Sequence, residues 1–164
     1  NKGFTLIELL IVVAIIGILA AVGAAVIPGL LGKTKITAVK EQHANIVNFI
    51  RLQKVRCETG SKTMELVTAG GFNYEPQCSG FLKISQMPSS IYMMSQHLKG
   101  IGFINPLEPS KSYFCENGNY YPGCTFIDCT TCSQNKGSSI MIVKTCLEGS
   151  CTNAETLTDT INFE

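Results

Sequence analysis

The chain has 164 residues, with 13 lysines and arginines against 12 aspartates and glutamates and a formal net charge of +1. This near balance gives no general argument for a nucleic-acid partner or an acidic partner. The length leaves room for one small globular domain in addition to a helix of membrane length.

The first segment of the chain is almost wholly apolar. From Phe4 to Leu31 Glu8 is the only charged residue. A helix rises about 1.5 Å per residue and about 20 apolar residues cross a bilayer core, so the segment predicts a transmembrane helix. The apolar core of a secretory signal peptide runs only about 7–15 residues, so we expect an anchor that is retained.

Glu8 is the unusual residue of this segment. A charged carboxylate inside a membrane span costs roughly 2.5–3.5 kcal/mol on insertion scales, and such residues usually have a partner. The simpler alternative is that Glu8, close to the start of the span, reaches the lipid headgroups. We favour a functional role for this carboxylate.

A family resemblance supports that role. Lys2 and Gly3, followed by FTLIELLIVVAIIGILAAV, resemble the junction and amino-terminal segment of type IV pilins and of the related pseudopilins of type II secretion. The resemblance implies an α+β pilin fold, in which a long amino-terminal helix packs against a C-terminal antiparallel sheet with disulfide-stapled loops. It also implies cleavage by a membrane prepilin peptidase between Gly3 and Phe4, followed by N-methylation of Phe4.

The resemblance further implies assembly of the chain into a filament. Phe4, Thr5 and Glu8 are carried over as assembly residues, and Glu8 as the acid that neutralises the terminal amine of a neighbouring subunit. At about 4 Å and an effective dielectric near 20, opposite unit charges attract by about 4 kcal/mol. Desolvation offsets much of this attraction, so we expect the pair to set the register. Residues 1–3 are expected to be a residual leader peptide. While they are retained, the free terminal amine lies three positions before Phe4.

The anchor, residues 4–32, ends in a stretch that weakens a helix. Pro28 lacks the amide hydrogen that would bond Ala24, and Gly23, Gly29 and Gly32 each cost about 1 kcal/mol in a helix interior. Lipid tolerates such residues where neighbouring groups satisfy the freed carbonyls. We predict a helix break here, either as the melted stretch that the family's filaments show near such a proline or as a simple kink.

Residues 33–60 are predicted to be an amphipathic helix that continues into the globular domain and stops at Gly60. Its apolar stripe recurs at three- and four-residue spacing and consists of Ile36, Val39, Ile46, Val47 and Ile50. His43 lies on this stripe, and we expect it to be packed and hydrogen-bonded rather than a ligand.

The same region carries most of the chain's basic residues. They are Lys33, Lys35, Lys40, Arg51, Lys54 and Arg56. Such a surface attracts phosphate, and the family includes filaments that capture DNA. Aromatic residues do not alternate with these cations as base stacking would require, so a solvated helix face is the favoured interpretation and a nucleic-acid partner is not supported.

Residues 61–164 are predicted to form a Cys-rich domain of loops and an antiparallel sheet. Residues 61–87 look like a connecting region with one short strand, and residues 88–100 like a short helix begun by proline and ended by glycine. The predicted strands are Ser112–Cys115, Cys124–Cys129, Ser139–Leu147 and Thr156–Phe163. Apolar residues on both faces of Ser139–Leu147 predict that this strand is central.

All the cysteines follow the anchor, and their even number predicts up to four disulfides in an oxidising compartment. They are Cys57, Cys78, Cys115, Cys124, Cys129, Cys132, Cys146 and Cys151. Eight cysteines allow about 105 pairings, and the sequence neighbours Cys57 with Cys78 and Cys146 with Cys151 are the favoured pairs. The alternative is a zinc or redox site in which Cys129-Thr-Thr-Cys132 is joined by Cys146 and Cys151.

A catalytic constellation is missing from the sequence. His43 and His97 lie in different segments, and GxSxG and HExxH motifs are absent. We therefore expect neither an enzyme nor a cofactor or metal.

The resemblance to type IV pilins implies a filament subunit that starts in the inner membrane with its amino end cytoplasmic and ends in an extracellular type IV pilus. Its roles would be adhesion, twitching motility or DNA uptake. Its partners would be copies of itself, the prepilin peptidase and the inner-membrane assembly platform. The alternatives are a type II secretion pseudopilin and a membrane-tethered zinc or redox domain.

Overall fold

The structure, a computed structural model, describes residues 3, 5–68, 70–82, 87–115, 119–129, 139–152 and 155–163. Its helices and strands are, in chain order, α1 Leu6–Glu58, β1 Leu66–Val67, β2 Asn73–Tyr74, α2 Cys78–Leu82, α3 Met87–Gly100, β3 Thr125–Cys129, β4 Ser139–Cys146 and β5 Thr156–Phe163. The chain divides into two compact units, Asn1–Lys35 and Ile36–Glu164. The architecture is α+β, with a long amino-terminal helix followed by antiparallel sheets, and it is consistent with the pilin fold.

The first unit contains the apolar part of α1. Large apolar side chains from Leu6 to Leu31 expose between 45% and 78% of their area. Within the described residues α1 is the one helix long and apolar enough to cross a membrane. A helix that is apolar all round is stable only when lipid or other protein surrounds it.

The described backbone of this single chain contains no melted stretch at the predicted helix break, and the simple kink stays a prediction. The backbone stays helical through Gly23, Pro28, Gly29 and Gly32. A proline removes one amide donor, and the hydrogen bonds of the turns on either side are enough to keep this backbone helical. A melted stretch in an assembled fibre stays a prediction.

The carboxyl end of α1 lies in the second unit and stops as predicted. Gly60 takes the left-handed conformation with φ of 105°. The amide of Ser61 donates to the carbonyl of Arg56 at 3.1 Å, which is the six-to-one hydrogen bond of a Schellman motif. The glycine therefore satisfies one of the last helical carbonyls while turning the chain away.

Three strands form the main antiparallel sheet in the order β3-β4-β5, so β4 is central as predicted. Ile127 pairs with Val143, and Met141 pairs with Ile161. Successive side chains of β4 point to opposite faces of the sheet, so Met141 and Val143 are buried and Ile142 is half-exposed on the other face. The helix α3 and all three strands agree with the sequence-based assignment to within one residue at each end.

The predicted strand at Ser112–Cys115 is wrong. Phe114 makes a single parallel bridge to Thr125. The Tyr121 hydroxyl lies 2.8 and 3.0 Å from the carbonyl oxygens of Ser112 and Phe114, so its one proton is shared between them. On its other edge the segment exchanges two backbone hydrogen bonds with Thr125 alone, through the Tyr113 carbonyl and the Cys115 amide.

The region predicted as a connection, residues 61–87, contains more structure than expected. Strands β1 and β2 form a small antiparallel hairpin, and α2 follows it. The core of the unit joins α1, α3 and the sheet through Ile46, Ile50, Met94, Leu98, Met141, Val143 and Ile161. The sheet thus packs on the second half of α1.

Candidate functional site

The amino-terminal site is built around a capping box. The carboxylate Oε2 of Glu8 accepts hydrogen bonds from the backbone amide of Thr5 at 2.8 Å and from its hydroxyl at 2.6 Å. In return the amide of Glu8 donates to the Thr5 hydroxyl oxygen at 3.4 Å. Thr5 is therefore the N-cap of α1, and Glu8 is the third helical residue of the S/T-x-x-E pattern.

This capping role adds to the one that sequence reasoning assigned to Glu8. The pattern Thr5-x-x-Glu8 is a signal for a helix start that is visible in the sequence. The structure brings together two of the three predicted assembly residues, Thr5 and Glu8. The third, Phe4, lies outside the described residues.

The predicted cleavage position is open on its amino side. Gly3 is exposed, and a Cβ atom added to it would meet no atom within 4 Å. A peptidase needs such an accessible backbone to bind the scissile bond in an extended form. Phe4, on the other side of the predicted cut, carries no structural description.

A buried polar network ties α1 to the sheet. The imidazole of His43 is buried, with Nε2 3.1 Å from Asp159 Oδ2 and Nδ1 2.8 Å from the Thr145 hydroxyl. A carboxylate only accepts, so Nε2 donates and, in the neutral ring, Nδ1 accepts from Thr145. Thr145 lies 2.6 Å from the Thr125 hydroxyl, and Arg51 holds the other Asp159 oxygen at 3.1 Å. The prediction that His43 is packed and hydrogen-bonded is confirmed.

His97 is the second buried histidine. Its ring stacks on Phe49 with a centroid separation of 5.0 Å, and its Nδ1 lies 2.8 Å from the amide of Val67. Desolvation lowers the pKa of His97, while the Val67 carbonyl oxygen, 3.2 Å from Nδ1, acts in the opposite direction. This arrangement favours a neutral ring that accepts a hydrogen bond from Val67.

Disulfides brace the second unit. The structure joins Cys57 with Cys78, Cys115 with Cys124 and Cys146 with Cys151. The first and third are the pairs that sequence proximity favoured. Cys129 is also disulfide-bonded, and Cys132 lies outside the described residues.

The zinc alternative conflicts with this bonding. A zinc ligand is a thiolate, and a disulfide sulfur is not one. Cys146 and Cys151 therefore do not supply the second ligand pair that the alternative required. Among the residues that the structure describes, groups of three or more histidine, cysteine or acidic side chains with metal-binding geometry do not occur.

Comparison with protein families finds a match at the segment that contains the capping box. Residues 1–24 match the family described as the prokaryotic N-terminal methylation motif. This is the prepilin-type motif of type IV pilins and pseudopilins, a class of structural subunits rather than of enzymes. It implies processing by a prepilin peptidase and assembly into pilus-type filaments. Comparisons with curated proteins and with solved structures find no match.

Proposed function

We propose that this chain, which carries the prepilin-type motif of type IV pilins and pseudopilins, is a structural subunit that polymerises into a type IV pilus on the bacterial surface. The observation that carries the proposal is the uncovered apolar half of α1, from Leu6 to Leu31, beside a disulfide-braced α+β unit. Lipid covers this helix before assembly, and other copies of the same helix cover it afterwards.

The capping box explains how one acid serves in both environments. Two hydrogen bonds from Thr5 partly compensate the carboxylate of Glu8 while the subunit is in the membrane. The described hydrogen bonds use Oε2 of Glu8, so the other carboxylate oxygen can bind a further partner, which is a cation. In the filament that partner is the methylated amine of Phe4 from a neighbouring copy, generated by cleavage after Gly3. Their attraction sets the axial register of the subunits.

The covalent bracing supports a pilus rather than a pseudopilus. Each disulfide stabilises a domain by roughly 2–4 kcal/mol. Such bracing suits a small domain that stays outside the cell on an extended fibre. A short periplasmic pseudopilus would not expose the domain to the extracellular medium.

Cell fractionation tests the proposal. Filaments sheared from wild-type cells should contain the chain, cut before Phe4 and methylated there, as mass spectrometry of its amino-terminal peptide would report. The variant Glu8→Ala should reach the membrane and be processed but fail to appear in the sheared fraction. A matched variant, Glu58→Ala, removes an exposed carboxylate from the end of the same helix and should leave the filaments intact. Confinement of the wild-type chain to the envelope would instead indicate a pseudopilin.

A further inference from the structure

An aromatic side chain projects from the tip of the β1–β2 hairpin. Phe72 exposes 75% of its area. The amide of Gly71 donates to the Thr68 carbonyl and the amide of Thr68 donates to the Phe72 carbonyl, both at 2.9 Å. The Phe72 ring lies over Gly70, where a Cβ atom would be 3.1 Å from it. Phe72 is therefore solvent-exposed, and a backbone hydrogen bond ties it to Thr68.

A cleft large enough for a phenyl ring opens between α3 and β3. Its volume is about 210 Å³, and its walls include Ile91, Tyr92, Phe114, Phe126 and Ile127. The small side chain of Ser95 lies at the same cleft and donates to the Tyr92 carbonyl at 2.7 Å. An apolar cavity of about 150 Å³ is enough to bind benzene. The α3–β3 cleft therefore has room for one phenyl ring.

The exposed ring and the cleft lie on different sides of α3. The hairpin meets α3 at His97, through the Val67 amide. The cleft meets α3 at Ile91 and Ser95, which are one turn apart on a single face. Successive helical residues are about 100° apart, so His97 points about 200° away from Ser95. A contact that joins two different patches of identical subunits is heterologous, and it repeats into an open fibre when the rotation does not close.

Charge also matches between the two surfaces. The hairpin region, residues 64–77, contains Glu65 and Glu75 and no lysine or arginine. Lys144 lies directly across from Phe126 on β4, on the face that reaches the cleft, while Asp128 lies two residues further along β3. Glu65 pairs with Arg56 at 3.5 Å, whereas Glu75 and Lys144 have no ion pair within the part of the chain that the structure describes.

We propose that Phe72 of one copy inserts into the α3–β3 cleft of the next copy, with Glu75 beside Lys144. This contact rests on the proposed function, since it joins subunits of a polymer. It adds to the helical core of the fibre a second, heterologous contact between the second units of neighbouring copies, in which an aromatic anchor fills an apolar cleft with a charged pair at its rim.

Photo-crosslinking on intact cells tests the contact directly. The full chain carries the photoreactive analogue p-benzoyl-phenylalanine in place of Phe72, and irradiated filaments are sheared and digested. We expect a chain-to-chain crosslink that maps to the peptides of Ile91–Ser95 or of Phe126 and Ile127. The same probe in place of Ile104, which is 59% exposed and belongs to neither surface, should not label those peptides.

One substitution tests the cleft and another tests the inserted ring, and each has a matched control. Ser95→Phe fills the cleft and should abolish the crosslink from position 72, whereas Ser79→Phe, on the exposed face of α2, should leave it unchanged. Phe72→Ala should lower subunit affinity, and with it the yield of sheared filaments, by about tenfold, as truncation of an anchor residue commonly does. Ile104→Ala is its matched control.

Other results would overturn the proposal. They are a crosslink from position 72 to a different part of the chain, a crosslink to a different protein, or a crosslink that persists in Ser95→Phe. Filaments that form normally without the crosslink would remove this contact and leave the proposed function standing. A wild-type chain that forms no filament would remove both.

Discussion

His43 on α1 and Asp159 on β5 lie 116 residues apart in the chain, and the imidazole Nε2 is 3.1 Å from the carboxylate Oδ2. Arg51, two turns further along α1, binds the other carboxylate oxygen. The helix and the edge strand of the sheet are therefore joined by side chains as well as by the apolar core.

Loss of the imidazole should destabilise the second unit. His43→Ala leaves a buried space and removes the Asp159 and Thr145 hydrogen bonds, so we expect the free energy of unfolding to fall by about 2–3 kcal/mol. Chemical unfolding of the detergent-solubilised, disulfide-intact chain, followed by circular dichroism, measures this change. Asn48→Ala, an exposed change on the same helix, is the control. Equal stability of the two variants would contradict the role of the network.

The stability of the second unit should fall as the pH drops below the ordinary pKa of a histidine side chain. Burial lowers the folded-state pKa of His97, and the unfolded chain has the usual value of about 6.5. The unfolded state therefore binds more protons, and stability is complete above about pH 6.5 and declines as the pH falls towards the folded pKa. One proton limits the slope to about 1.4 kcal/mol per pH unit.

His97→Gln provides the comparison for this pH effect. The variant changes position 97 alone, so any pH dependence that remains between pH 7.5 and pH 5.5 does not come from His97. We expect the wild type to lose more stability than His97→Gln over this interval. Identical slopes would show that protonation of His97 is not coupled to folding.

The disulfides Cys57–Cys78 and Cys146–Cys151 should contribute unequally to the free energy of unfolding. Cys57 and Cys78 are 21 residues apart, whereas Cys146 and Cys151 are 5 apart. In the chain-entropy account the longer loop gives the larger effect, by about 1 kcal/mol. Replacing each pair by serines and comparing midpoints of chemical unfolding measures the difference. A larger loss from the Cys146 and Cys151 pair would contradict the entropic account for this protein.

The capping and charge roles of Glu8 can be separated. Glu8→Gln keeps a side-chain acceptor for Thr5 but removes the charge, so we expect an intact helix start and no assembly. Thr5→Ala removes the N-cap hydroxyl at a cost of about 1 kcal/mol, so amide exchange at Leu6 and the next few residues should accelerate about fivefold. Thr34→Ala, an exposed position within α1, should not change exchange there. Normal filaments from Glu8→Gln would show that the charge is dispensable.

Local patterns predicted most of the fold. The apolar run and the three- and four-residue spacing identified α1, alternation and turn residues located β3, β4 and β5, and sequence proximity favoured two of the three disulfides that the structure describes. Each of these features depends on residues that are close in the chain.

The features that the sequence did not reveal depend on distant or overlooked partners. Nothing near His43 indicates Asp159, because their contact exists only after the sheet has packed on the helix. The segment Ser112–Cys115 has strand-like residues but forms only one bridge to Thr125, and a distant residue, Tyr121, lies against its other edge. The capping box is a local pattern, Thr5-x-x-Glu8, that the sequence contains, whereas the expectation for Glu8 concerns only its charge in an apolar segment. The hairpin that carries Phe72 was predicted only as a connection.

A density map of the assembled fibre tests the central claim most directly, because it locates the amino terminus of one subunit relative to Glu8 of its neighbour. The account predicts that the chain begins at Phe4 and that its methylated amine lies within about 4 Å of a neighbouring Glu8 carboxylate, the range in which the attraction is strong. A fibre in which every Glu8 is farther than about 8 Å, a Debye length, from any terminal amine would contradict it.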